Sequence, residues 1–286
     1  TLNSLAQNNH LNAYHYALFQ DGLRNQADRG EHDLVRKTYD HFIIQNDIQS
    51  YEIFQSKVNI GLRKSIMTGV TKTLLNFDAV IVLEDDLELS ANFLAEITHL
   101  LHLYAADDQV CHINGWSPPV SESATTKIVT TNMMFCWGWA TWSKKWNSFA
   151  LHETFQAKRT NTFSALRASF MGLAGFRRQL QLNDQGKIKT WAVYWYWYLY
   201  TNQKTCVGFN KSLVRNTGND GTGENCSNIN NQNNFQSIFD GKIQFKLPLT
   251  KQAPLANMRY AIHLYIWLIV RNVLLIKIKI GKLFNK

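Results

Sequence analysis

Glu84, Asp85 and Asp86 stand together directly after the apolar run Ala79-Val80-Ile81-Val82-Leu83, with Glu88 just beyond. Carboxylates this close on one turn repel each other unless a cation or donor groups offset the charge. Their hard oxygens suit Mg²⁺ or Mn²⁺, and such an ion can bridge a substrate diphosphate and neutralise charge developing on it as it leaves. The same residues also read as a solvated acidic loop capping the next helix. A second group is aromatic: seven of the nine tryptophans (Trp137, Trp139, Trp142, Trp146, Trp191, Trp195 and Trp197) lie between 137 and 197. An indole offers a flat apolar face and an N–H donor, which suits sugar rings. At helical spacing, however, Trp191, Tyr194, Trp195 and Tyr198 also make a core-facing stripe. The third group is the loop Gly218–Cys226. Its glycines let backbone N–H groups approach a phosphate or sugar beside Asp220 and Glu224, and it reads equally as a surface turn. It matches neither a Walker A loop nor a dinucleotide fingerprint.

The elements that must position these groups follow from periodicity. Tyr16–Phe19 is a short apolar run ending at Asp21-Gly22, a polar helical stretch spans about 31–43, and Tyr51–Phe54 reads as a strand. Leu62, Ile66, Val70, Leu74 and Phe77 recur at helical spacing. Ala79–Leu83 is apolar on both faces, as a strand covered by helices should be. Phe93, Leu94, Ile97, Leu100 and Leu101 mark an amphipathic helix with Ser90 as its cap, and Val110–Ile113 reads as the next strand. Alternation of this kind predicts an α/β sheet, where ligands collect at the carboxyl ends of strands. The acidic triplet is at such an end. The second half is Trp-rich to about 200 and Asn- and Gly-rich from 216 to 236.

Composition separates the chain into two charge regimes. Of 286 residues, 30 are Lys or Arg and 21 are Asp or Glu, for a net charge of +9. Nine of the basic residues and none of the acids lie in 241–286, so residues 1–240 are formally neutral. Nucleic-acid binding, which wants basic residues across a folded face, is disfavoured. A tail drawn to an anionic membrane surface is favoured. That tail holds an uncharged apolar run, Tyr260–Val270, broken only by His263. Eleven residues rise about 16 Å as a helix, short of a roughly 30 Å hydrocarbon core. The run is therefore a helix closing the domain or an interfacial anchor, and Trp267 with the Lys–Ile alternation over 276–280 points to the anchor. Four widely spaced cysteines (Cys111, Cys136, Cys206, Cys226) exclude a disulfide scaffold and a zinc site, and suit reduced thiols in a cytoplasmic compartment. No signal peptide is visible. The sequence opens without Met and within a helical pattern (Leu2, Leu5, Ala6), so a strand is expected ahead of Thr1.

Taken in order, several strings resemble the bacterial GT-A-fold glycosyltransferases related to family 2. They are Asp21-Gly22; Asn59-x-Gly-Leu-Arg63 with Ser65-Ile66; Val80-Ile-Val-Leu-Glu-Asp-Asp-Leu87; and Trp137-Gly-Trp-Ala-Thr-Trp142 with Trp146. Gly186-Lys-Ile-Lys-Thr-Trp-Ala192 with Trp195-Tyr196, and Lys211-Ser-Leu-Val-Arg-Asn216 leading into Asp220-Gly-Thr-Gly223, complete the set. The acidic triplet is also similar to that of the animal N-acetylglucosaminyltransferase I type. The resemblance covers roughly residues 1 to 226. It implies a GT-A, Rossmann-like domain over 1–240 with a mostly parallel central sheet lacking its first strand, followed by the 241–286 tail.

The resemblance further implies that Asp86 ligates Mn²⁺ or Mg²⁺, with Glu84 and Asp85 at the nucleotide-sugar or the metal's water shell. Asp21, Asn59 and Arg63 would lie near the nucleoside. Trp137, Trp139, Trp142 and Trp191 would face the acceptor, a cell-surface polysaccharide or lipid-linked glycan. Transfer would invert, through a carboxylate base: Asp220, Asp184 and Glu224 are the candidates in that order. Lys189, Ala192 and Asn225 depart from the family's usual residues at their positions. The implied place of work is cytoplasmic, peripheral on the inner face of the cell membrane. The rival expectations are a non-catalytic carbohydrate-binding protein and an inactive truncated relative.

Overall fold

The hydrophobic repeats in the first half form the elements that their spacing predicts. The computed structural model describes residues 1–119, 128–150, 175–218, 238 and 260–273. Its first half runs α1 (Leu2–Leu5), β1 (Tyr16–Gln20), α2 (Arg29–Gln45), β2 (Tyr51–Gln55), α3 (Gly61–Thr73), β3 (Ala79–Val82), β4 (Leu87–Leu89), α4 (Phe93–Leu103) and β5 (Val110–Asn114). Then come β6 (Ile128–Thr131), β7 (Trp139–Trp142), α5 (Ser143–Ala150), α6 (Phe176–Asp184), α7 (Ala192–Thr201), β8 (Thr205–Phe209) and β9 (Val214–Asn216). Residues 260–273 form a last helix, α8. Ser90 is set back from its expected role: Asn92 precedes α4, and the Ser90 hydroxyl accepts from the Asn92 N–H at 3.2 Å.

The fold is α/β, but the sheet is mixed where a mostly parallel one is expected. Five strands lie in the order β3-β7-β5-β8-β6, and only β5 and β8 pair in parallel. The difference comes from two strands that periodicity does not predict, β6, antiparallel to β8, and β7 in the Trp-rich stretch. Strand β7 inserts antiparallel between β3 and β5, with every residue buried. β1 and β2 form a separate parallel pair, and β4 and β9 an antiparallel one.

Strand alternation divides the packing between two faces. Ala79 and Ile81 of β3, Ala140 and Trp142 of β7, and Val207 and Phe209 of β8 join a core with Phe93, Ile97 and Leu100 of α4. Val80, Val82, Trp139 and Cys206 face a second core, built with Val70 and Leu74 and filled by Trp146, Trp191 and Trp195. Helix α3 contributes to this second core while its Gly69 abuts the Phe19 ring of β1.

The outer edges of β1 and β3 pair with no described strand. The β1–β2 ladder includes the bonds Tyr16 N–H to Ser50 O and Ser56 N–H to Gln20 O, both 3.0 Å, so Ala17 and Phe19 address the other side. There the Phe19 carbonyl accepts from the Tyr39 hydroxyl at 3.1 Å. On β3, Ser143 N–H donates to Asp78 O at 2.8 Å, so Asp78 and Val80 address β7 while Ala79 and Ile81 face away from it. The leading ends of the two strands are neighbours, since His15 stacks on Phe77 at 4.8 Å.

Candidate functional site

The acidic triplet is the turn between β3 and β4, at the carboxyl end of β3 as expected. What holds it is a ladder that the sequence does not announce. β4 pairs with β9 in the register Leu87↔Asn216, Glu88↔Arg215, Leu89↔Val214. Leu87, Leu89 and Val214 are buried and anchor the pair, while Arg215 and Glu88 form an ion pair on its outer side. The Thr217 N–H and hydroxyl then donate to the Asp86 carbonyl at 2.7 and 2.9 Å. At the other flank the Thr1 hydroxyl donates to Glu84 O and accepts from Leu87 N–H, both at 2.8 Å. The ladder thus joins two strings far apart in sequence, the acidic triplet and the Ser-Leu-Val-Arg-Asn segment.

Asp86 is the focus of this arrangement. Its Oδ2 accepts from Asn216 Nδ2 at 2.8 Å. Its Oδ1 is buried, and among the described residues no donor reaches it. Burial raises the Asp86 pKa, the Asn216 bond lowers it and Asp85 raises it again. Glu84 is pushed up to about 7 by burial, then by Asp86 and Asp85. Asp85 itself is exposed and approaches Tyr39 of α2, whose hydroxyl is raised first by burial and then by this carboxylate. Cys136 lies against the same charges: burial, then Glu84, push its thiol to about 12. Gly218 completes the wall, because a Cβ there would fall 2.5 Å from Asp86 Oδ2.

A divalent cation fits this arrangement through Asp86. Like charges packed with Glu84 and Asp85 and an undonated buried oxygen are the surroundings a cation would relieve. Among the described residues no three His, Cys, Asp or Glu side chains gather into a ligand set. Asp86 is the carboxylate that would hold a cation here, and the remaining positions would need further oxygens, such as those of phosphate and water that Mg²⁺ commonly takes.

The other expected nucleotide-side residues form two further groups. Asp21 and Asn59 come together at the head of α3. Asp21 Oδ1 accepts from Gly22 N–H at 2.8 Å and Ile60 N–H at 2.9 Å, its Oδ2 accepts from Gly61 N–H at 2.8 Å, and Asn59 Nδ2 donates to Gly22 O at 2.9 Å. These bonds make Asp21 the anion at a helix N-terminus and tie two loops together. Arg63 lies one turn into α3 and covers the Tyr194 ring at 4.5 Å, and the Tyr194 hydroxyl donates to Asp184 Oδ1 at 3.3 Å. One of the base candidates is thereby linked to an expected nucleotide contact. Asp220 and Glu224, the other two, lie outside the described residues.

The acceptor-side tryptophans need correction. Trp139 is fully buried, stacking on Trp191 at 4.8 Å and on His112 at 5.3 Å. Trp191 is also buried, at the head of α7. Trp142 is buried under α4, donating to Leu101 O at 3.0 Å with Lys145 Nζ 3.3 Å from its ring centre. These three are part of the core, with no ring face open to solvent for an acceptor to stack on. Trp137 alone of the four is half-buried, edge-on to Trp116 at 5.0 Å. Its position is set by Gly138, whose φ of +60° and a Cβ that would fall 2.7 Å from Val214 call for glycine.

Asn216, Gly218, Tyr194 and Cys136 are the site residues that a search for carboxylates and indoles passes over. Asn216 ends a string that the resemblance rests on, and Gly218 opens the glycine-rich loop, which are the signals that mark them. No protein-family model matches the sequence, and no curated protein matches it.

Proposed function

We propose that the chain is a metal-dependent glycosyltransferase of the GT-A type, moving a sugar from a nucleoside-diphosphate donor to a cell-surface polysaccharide or lipid-linked glycan at the cytoplasmic face of a membrane. The observation that carries this reading is Asp86: a strand-end carboxylate, clamped on one oxygen by Asn216, with the other buried and undonated. The outer edges of β1 and β3 also suit it, since one further parallel strand between them would join the separate pair to the five-stranded sheet. A bound Mn²⁺ or Mg²⁺ would supply neutralisation of the departing diphosphate.

The chain's own residues do the rest. Asn216 holds the Asp86 carboxylate, Thr217 holds its main-chain carbonyl and Gly218 leaves it room, while Glu84 and Asp85 add the acidic surroundings that draw a cation to it. The Asp21 clasp presents the start of α3, and Arg63 stands there as a cation for an anionic donor. The proton of the attacking hydroxyl passes to a carboxylate of the set Asp220, Asp184 and Glu224 as the anomeric centre inverts. A purely carbohydrate-binding role has less to stand on, because Trp139, Trp142 and Trp191 are interior.

The test is thermal shift across a panel of nucleoside diphosphates and their sugars with and without Mn²⁺. The wild type should show a metal-dependent shift with one nucleotide, and Asp86→Ala should lose it. An equal metal-dependent shift in the variant would remove Asp86 from the metal role.

A further inference from the structure

Helix α8 carries two apolar faces, and only one of them is used. Tyr260, Leu264 and Leu268 are buried against Val129 and Met133, and the Tyr260 hydroxyl bonds Ser117 Oγ at 2.9 Å. Ile262, Ile266, Ile269, Val270 and Val273 are 50%, 52%, 44%, 46% and 47% exposed. At about 100° per residue these five occupy an arc of roughly 100°, centred opposite the buried three. The helix is therefore fixed to the domain along one side and shows solvent a continuous aliphatic stripe along the other. The stripe is about 17 Å long. A patch of this extent equals the largest on a typical monomer, which is often functional.

We propose that this stripe is a lipid-docking face, on which α8 lies parallel to an anionic bilayer with its aliphatic side chains among the acyl chains. The inference deepens the membrane-surface part of the reading above and rests on it, while standing apart from sugar transfer. Charge selects the occupant: residues 241–286 carry nine basic side chains and no acid, so the segment is complementary to anionic headgroups. Size argues the same way. Five half-exposed aliphatic residues offer roughly 400–500 Å², against about 800 Å² per partner for a stable protein interface. No described helix is long and apolar enough to cross a membrane, and α8 is held along the domain by Tyr260, Leu264 and Leu268, the posture of a helix lying in the interface plane.

The experiment is co-sedimentation of the full chain with vesicles of pure phosphatidylcholine and of phosphatidylcholine with phosphatidylglycerol. The wild type should bind the anionic vesicles and release as salt rises. The variant Ile262→Gln/Ile266→Gln/Ile269→Gln should bind them at least about tenfold more weakly, with its melting temperature kept because all three side chains are exposed. Equal binding by the two proteins, or no binding by the wild type, overturns the proposal. So does a wild-type dimer that the triple variant converts to monomer with vesicle binding unmoved, which would make the stripe a contact between copies. Should the triple variant fail to fold, Ile266→Cys carrying an environment-sensitive dye replaces it. Its emission should shift to the blue with anionic vesicles, and an unmoved spectrum overturns the proposal. Asp86→Ala should bind vesicles as the wild type does, so failure of docking and failure of the donor site give different results.

Discussion

Asp86 holds its two carboxylate oxygens in unlike surroundings, one bonded to Asn216 and one buried without a donor. Such a group is poised for a cation only while its rotamer stays fixed, and Gly218 is what leaves it room. Gly218→Ala would put a methyl 2.5 Å from Oδ2 and displace the carboxylate. We expect this variant to lose Mn²⁺-dependent nucleotide binding by about tenfold or more and to lose about 1–2 kcal/mol of stability, since the methyl also meets Asp86 Cβ at 2.9 Å. Calorimetric titration beside a denaturant melt checks this, and unchanged metal dependence would count against the site. The acidic triplet was legible as a strand-end turn, because carboxylates directly after an apolar run mark where the strand stops, although the same residues also read as an inert capping loop. Asn216 was not, because its partner lies 130 residues away and only the β4–β9 register brings them together.

Among the elements, β5 and α7 share a polar contact inside an otherwise apolar core. Trp195 Nε1 donates to His112 Nδ1 at 3.0 Å, so the ring's proton is on Nε2, where it donates to Phe135 O at 3.0 Å. Burial holds this imidazole neutral and lowers its pKa from 6.5 to about 4. The folded state therefore refuses a proton that the unfolded state accepts. The stability at stake is intact above pH 6.5 and is lost as pH falls through 4, on the order of 3 kcal/mol in all. Urea melts between pH 7 and 4 should show this loss, and His112→Gln should flatten it; an identical slope in the variant would show that other groups set the acid limit. Up to β5 the helices and strands were legible where each keeps one period long enough to read, which three-residue β4 does not. β7 was not: Trp-Ala-Thr-Trp is four residues, buried on both faces and without alternation. Indoles that suit a sugar by type are here consumed by packing, and nothing in four residues distinguishes the two uses.

At the scale of the whole molecule, a neutral α/β body carries a cationic end, and α8 is the described part of that end. Composition alone located the charge and the apolar run. That the run is both a domain-closing helix and a surface feature needed the packing of Tyr260, Leu264 and Leu268, because an apolar helix with two faces reads in sequence as one. The outer edges of β1 and β3 have a consequence of a different kind. Ala79-Val-Ile-Val82 contains no proline and no charge, the devices that usually keep an edge from recruiting another chain. Left uncovered, such an edge is a template for self-association, so residues 1–286 by themselves should aggregate faster than a form in which a further strand covers β3. Ala79→Pro removes an outward N–H at the first position of β3, where proline is tolerated. It should slow the growth of the intermolecular-β infrared band on mild heating, and an unchanged growth rate would place the sticky surface elsewhere.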